Sequence, residues 1–186
     1  MLGKDTHSID NMNLNSREDA YELLDELKAP AHLKLHVRLV GEAADLLIQK
    51  CNELNISIDE NLIRIGVAIH DIGKIVHVNE MTGVGSEHEP EGEKILLSKG
   101  IDPKIARCCL SHAQWKKMEC SLEELLIALS DKLWKGKRVQ ELELQVIDRV
   151  SELLGKDRWA VFEELDTQFE HIASGGHERL QRSVGS

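Results

Sequence analysis

Residues 61–74 read NLIRIGVAIHDIGK, an apolar run that ends on a histidine–aspartate pair. Leu62, Ile63, Ile65, Val67, Ala68 and Ile69 occupy nearly every face of a 3.6-residue period, and a helix that is apolar all round is a buried one. Asp59 stands where an N-cap is wanted, and Gly73 where a helix is expected to stop. The segment from about Asp59 to Ile72 is therefore predicted to be the central, most buried helix. His70 and Asp71 fall in its last turn, where unpaired carbonyls carry partial negative charge and favour a cation.

The period stays helical on both sides. Residues 16–28 (SREDAYELLDELK) open with Ser16 as N-cap and Glu18–Asp19 in the first turn, and stop before Pro30. Residues 31–54 carry Leu39, Val40, Ala43, Leu46 and Leu47 at i, i+3, i+4 spacing, the mark of one long amphipathic helix. Residues 76–87 (VHVNEMTGVGSE) read as a loop, and 88–99 as a short helix ending at Gly100. Asp102 and Pro103 begin a helix over 103–114. SLEE at 121–124 is a capping-box pattern that starts another over 121–135. Two more span about 138–154 and 157–173. No segment reads as a strand, so the expected fold class is all-α. A single helical domain is expected over 16–173, with a flexible N-terminal segment (1–15) and a flexible, Gly/Ser-rich C-terminal tail (174–186).

A chain of 186 residues with 41% apolar side chains builds one sizeable core, and 3% aromatics make that core aliphatic. Its net charge of −10 excludes a grip on duplex nucleic acid through bulk cationic charge. The four cysteines form no CxxC pair and read as reduced thiols of a cytoplasmic protein. The opening MLGKDTHSID has no apolar run, so no signal peptide is expected. The apolar stretch LLIAL at 125–129 is far too short to cross a membrane. A soluble monomer or homodimer fits this composition.

Nine histidines in such a chain call for a reason. His36 is in line with Val40, Ala43 and Leu47. His88 opens a helix, followed by Gly92 and Leu96, and His112 ends the next. Asp131 shares a helix side with Ile127, Ala128 and Trp134. A charged carboxylate facing a core is costly unless it is paired or bound to metal. Imidazole plus carboxylate is the donor mix that suits Zn, Fe, Mn, Ni or Co. Spacing alone leaves a second possibility open: each inward histidine can be a core residue with a backbone partner, and Asp131 can pair with Lys74 or Arg138.

The ordered set His36, His70–Asp71, Asp131 resembles the H…HD…D signature of the HD-domain metal-dependent phosphohydrolase superfamily over roughly residues 30–140. HDIGK at 70–74 is the most specific part. HEPEGEKIL (88–96) is similar to the H-x-x-x-G-x-x-x-L segment of members that hold two metals, and His112 matches a second extra ligand. The resemblance implies a helical bundle around a central buried metal site. His36, His70, Asp71 and Asp131 would hold one divalent transition metal (Mn, Fe, Co, Ni or Zn). Asp71 would bridge to a second ion held by His88 and His112. The chain departs from members acting on cyclic dinucleotides, since SHAQW stands at 111–115 in place of their His-His pair and GYP is absent. SDKLWKGKR (130–138) is comparable to members that cleave diadenosine tetraphosphate, but Ala113 stands where those carry threonine.

The activity implied is hydrolysis of a phosphate ester or anhydride, in a nucleotide or similar small phosphorylated metabolite, by metal-activated water, with Asp71 and Lys74 as the catalytic pair. The same fold also hosts di-iron oxygenases and non-catalytic metal-binding regulatory modules. Lys74, one turn beyond Asp71, reads either as a phosphate ligand or as a helix-end lysine on the dipole. The basic cluster Lys132, Lys135, Lys137 and Arg138 reads either as a distal phosphate site, with Lys135 and Arg138 in contact and Trp134 under a base, or as a solvated helix end. His32, one turn before His36, is expected to touch substrate, and His77 to line the mouth of the site. Glu87, Glu89 and Glu91 are candidates for the acid that protonates a leaving group. His7, His171 and His177 read as surface or tail residues.

Overall fold

The computed structural model describes residues 12–184, which form ten helices and no strand: α1 (Arg17–Glu26), α2 (Ala31–Glu53), α3 (Glu60–Ile69), α4 (His88–Ser98), α5 (Pro103–Ala106), α6 (Cys108–Gln114), α7 (Leu122–Leu133), α8 (Gln140–Leu154), α9 (Arg158–Ser174) and α10 (Gly176–Val184). The first eleven residues, with His7 among them, and the last two lie outside this description.

Local chemistry sets the starts. The Ser16 hydroxyl accepts the Asp19 N–H at 3.1 Å, Asp59 accepts the Leu62 N–H at 2.9 Å, and Asp102 accepts the Lys104 N–H at 2.8 Å. At α7 the capping box closes both ways. Ser121 accepts from the Glu124 N–H at 3.1 Å, and the Glu124 carboxylate accepts from the Ser121 N–H at 3.2 Å. The predicted helix over 103–114 is interrupted at Arg107, giving α5 and α6, and the loop over 76–87 contains a 3-10 turn at Val78–Met81.

Helix α3 is central, packed against α2 and α7, and Ile63, Ile65, Val67, Ala68 and Ile69 are buried. It ends earlier than expected, at Ile69, and a 3-10 turn over Ile72–Ile75 follows. Gly73 is not a left-handed stop. Its role is proximity: a Cβ there would overlap the His88 carbonyl and sit 2.8 Å from the Gly92 amide. The turn carrying Asp71 is thus pressed directly onto the start of α4. Gly73→Ala is expected to cost about 1–3 kcal/mol, because backbone cannot rotate away as a side chain can. Denaturant unfolding checks this, and an unchanged midpoint would refute the close-contact role.

Among the described residues, parts of both predicted ends are packed on the body. Within the N-terminal segment, Leu14 is buried, and the Met12 N–H donates to the Lys99 carbonyl at 3.3 Å. The supposed flexible tail is largely helix α10. Its glycine serves packing rather than freedom, since a Cβ on Gly176 would overlap the backbone of Gly136. The four cysteines are buried and free, and burial pushes the Cys51 thiol up to about 11 and that of Cys108 to about 12. No helix among the described residues is long and apolar enough to cross a membrane.

Candidate metal centre

Five helical segments converge on one buried point. α2 brings His36, the end of α3 brings His70 and Asp71, α4 brings His88, α6 brings His112 and α7 brings Asp131. Two donor sets result, with ligand atoms in each lying within 4.8 Å of one another: His36, His70, Asp71 and Asp131 in one, and Asp71, His88 and His112 in the other.

The carboxylate of Asp71 divides between them. Its Oδ2 lies 3.1 Å from His36 Nε2 and 3.5 Å from His70 Nε2, and its Oδ1 lies 3.3 Å from His88 Nε2 and 3.5 Å from His112 Nε2. Asp131 Oδ1 closes the first set, 3.3 Å from His70 Nε2 and 3.7 Å from His36 Nε2.

The ring orientations follow from what holds the far nitrogen. His70 Nδ1 is 2.7 Å from the Val67 carbonyl, and His112 Nδ1 is 3.1 Å from the Cys108 carbonyl. A carbonyl only accepts, so each Nδ1 carries a proton, which leaves Nε2 as the ring atom turned to the centre. Lone pairs and carboxylate oxygens facing one another at these distances require a proton or a cation between them. His36 Nε2 and His88 Nε2 are also buried without a hydrogen-bond partner. These residues fit a divalent cation in both number and chemistry.

The electrostatics keep both carboxylates of the centre in the charged form. Burial pushes the Asp71 carboxyl up, but the charge of His70 and the approach of His112, His36 and His88 carry it well below the usual carboxylate range. Asp131 shows the same balance: burial raises it, and His70 brings it down on net. His88 is raised: burial opposes its charged form, and Asp71 and Glu80 outweigh that.

Glu80 is the residue that the sequence reading did not single out. Its Oε2 lies 2.5 Å from His88 Nδ1 and accepts the His88 N–H at 3.0 Å, while Oε1 accepts the Glu87 N–H at 3.1 Å. It therefore orients the His88 ring and caps α4 together. Glu80 also forms a loose set with His77 and Glu87, but its oxygens are already committed to backbone and ring donors.

A cavity of about 530 Å³ opens over the centre. His32, Lys74, Lys132, Lys135 and Glu89 line it, with Leu33, Trp134, Ser183 and Val184 among the other walls. Lys74 Nζ donates to Asp71 Oδ2 at 2.8 Å. Trp134 is buried, its ring edge-on to His36 with centroids 5.0 Å apart, so it is core and cavity wall at once. Arg138 must be removed from the expected substrate contacts. After the turn at Gly136 (φ +80°) its guanidinium is taken by Glu143, Asp166 and Glu170, each at 2.6 Å, away from the cavity. His77 does not line the cavity and faces Glu87 at 3.8 Å. Of the three candidate acids after the loop, only Glu89 lines the cavity. It is buried and accepts from Gln114 at 2.8 Å.

The family model for the HD domain matches residues 33–149, more than half of the chain and inclusive of all six converging side chains. No curated protein and no solved structure matches the chain.

Proposed function

Because the chain belongs to the HD-domain family, we propose that it is a metal-dependent phosphohydrolase acting on a nucleotide or a similar small phosphorylated metabolite. The observation that carries this reading is Asp71, one buried carboxylate whose two oxygens face two histidine sets beneath a lysine-lined cavity. His36, His70, Asp71 and Asp131 would hold one divalent ion, of Mn, Fe, Co, Ni or Zn, and Asp71, His88 and His112 a second. A cation bound there supplies a water ionised near neutral pH and a counter-charge for a phosphoryl oxygen.

The rest is work for the chain itself. Lys74 places its ammonium at Asp71 and the cavity, where it binds a non-bridging phosphate oxygen. Lys132 and Lys135 extend the positive rim in a protein whose net charge is −10. Burial lowers the Lys135 amine, and neighbouring lysines add to this against the pull of Asp131, so an arriving anion relieves a positive charge that is poorly hydrated. His32 faces the same cavity and orients substrate. Glu89 is assigned the proton for the leaving group. Leu33 and Trp134 give the cavity an apolar stretch of wall.

Chelation is expected to abolish both turnover and phosphate affinity, and added Mn²⁺ or another divalent transition metal to restore them. Elemental analysis of protein purified without added metal, with a phosphate-release screen across nucleotides and sugar phosphates, checks this. Absence of bound metal together with no release would sink the proposal. The second donor set supports one other reading, a di-iron oxygenase. A mixed-valent iron signal with O₂ consumption and no phosphate release would favour it.

A further inference from the structure

Helix α10 lies outside the residues matched by the family model, yet Ser183 and Val184 at its end line the cavity. Three contacts hold it there. Gly176 rests on the Gly136 backbone with no room for a Cβ. Arg179, buried, donates to the carbonyls of Trp134 at 3.1 Å and Ile172 at 2.9 Å. Arg182 donates to both oxygens of Glu42, at 2.7 and 2.6 Å.

These anchors reach the site's own walls. Glu42 is on α2, less than two turns beyond His36. Trp134 follows shortly after Asp131, and its ring meets His36. An exposed ion pair contributes little to stability, but the bidentate fork fixes orientation as a single contact does not. The guanidinium of Arg179 is buried on two carbonyls and lies 3.8 Å from the same Glu42 carboxylate, so Glu42 ties both arginines of α10 to α2.

The chemistry of this wall differs from the rest of the cavity. Lys74, Lys132 and Lys135 supply charge, whereas Ser183 and Val184 bring a hydroxyl and an isopropyl group. The Ser183 hydroxyl already donates to the Leu180 carbonyl at 2.6 Å, so it offers a ligand only its lone pairs. A phosphate, which needs donors, gains nothing from such a wall. An organic body with hydroxyls and an apolar face does.

We infer that α10 is the specificity wall of this site: it contacts the non-phosphate part of a phosphorylated ligand, and Arg182 is the positioning residue that fixes it. The inference rests on the phosphohydrolase reading and deepens it.

The test is calorimetric titration of the full chain, loaded with Mn²⁺, with inorganic phosphate and with adenosine 5′-monophosphate. Arg182→Glu is expected to weaken the nucleotide about tenfold or more and to leave inorganic phosphate within about twofold. Glu42→Gln, which removes the carboxylate that Arg182 grips, is expected to weaken the nucleotide by about threefold or more and to spare inorganic phosphate in the same way. Ser183→Trp, which leaves every anchor intact, lowers the same nucleotide-to-phosphate ratio by crowding the wall. Equal loss of both ligands in Arg182→Glu, or an unchanged ratio in Glu42→Gln or in Ser183→Trp, would each overturn the wall. Wild-type protein that binds phosphate with no added affinity for the nucleotide overturns the wall alone. Wild-type protein that binds neither overturns the phosphohydrolase reading and the wall with it.

Discussion

Asp71→Ala is expected to empty both ion positions at once and to lower phosphate release by at least about 100- to 1,000-fold, the scale for losing one preorganised electrostatic group at a reacting centre. Each carboxylate oxygen belongs to a different donor set, so no remaining residue replaces it. Affinity should fall by more than the roughly 10–100-fold that follows loss of an outer-shell partner. Helical content should be largely kept, because Asp71 sits at the edge of the aliphatic core, in the turn after α3. Elemental analysis, far-UV circular dichroism and a phosphate assay on the same preparation measure the three quantities. A variant that loses metal and unfolds, from a parent with no turnover, would instead identify a structural ion in a regulatory module. A variant that keeps both metal and turnover would refute the site.

Asp71 also shows what was legible at the centre: spacing marked single polar residues, and only the resemblance to the HD-domain superfamily joined them into one ligand set. Each of the six converging side chains interrupts an apolar helical face or sits at the end of a helix, and a polar group in such a place needs a partner. His36 among Val40, Ala43 and Leu47, and Asp131 beside Ile127 and Ala128, carry that signal locally. The all-round apolar run of α3 marked the core for the same reason, and the N-caps at Ser16, Asp59, Asp102 and Ser121 are contacts between near neighbours in sequence. The misreadings concern contacts between distant residues. Gly73 and Gly176 look like conformational punctuation in a one-dimensional text. Both are small because another backbone lies against them, at His88 and Gly136, and nothing nearby in sequence announces that partner.

Arg138 and Glu80 fail in opposite ways. Four cationic residues between 132 and 138 suggest one patch, but a left-handed Gly136 turns the chain, so Lys132 and Lys135 stay at the cavity while Arg138 meets carboxylates of α8 and α9. Proximity in sequence was mistaken for proximity in space. Glu80 sits in a stretch without period, eight residues before the histidine it holds, so no face or spacing marks it. The C-terminal helix was hidden by composition, since Gly and Ser near a terminus ordinarily mean fraying. Its order comes from Arg179 and Arg182, whose partners lie on α2, at the end of α7 and on α9.

His88→Ala is expected to lower the bound metal from two equivalents to one, whereas His36→Ala attacks the other position. The two sets share only Asp71, so removing His88 leaves His36, His70, Asp71 and Asp131 intact, and a four-donor set of two imidazoles and two carboxylates holds an ion without help. Turnover should fall by about 100-fold or more if a second cation shares the phosphoryl charge. Glu80→Gln should act on the same position more gently. The ring loses an anionic partner at Nδ1 but keeps its place at the start of α4, so the second ion should weaken by about 10–100-fold while the first is unaffected. Titration of metal-free protein, followed by elemental analysis after gel filtration, separates these outcomes. Two equivalents retained in His88→Ala would show that the second set binds nothing. Loss of both would show that the positions depend on each other through Asp71, whose two oxygens then cannot be treated as independent ligands.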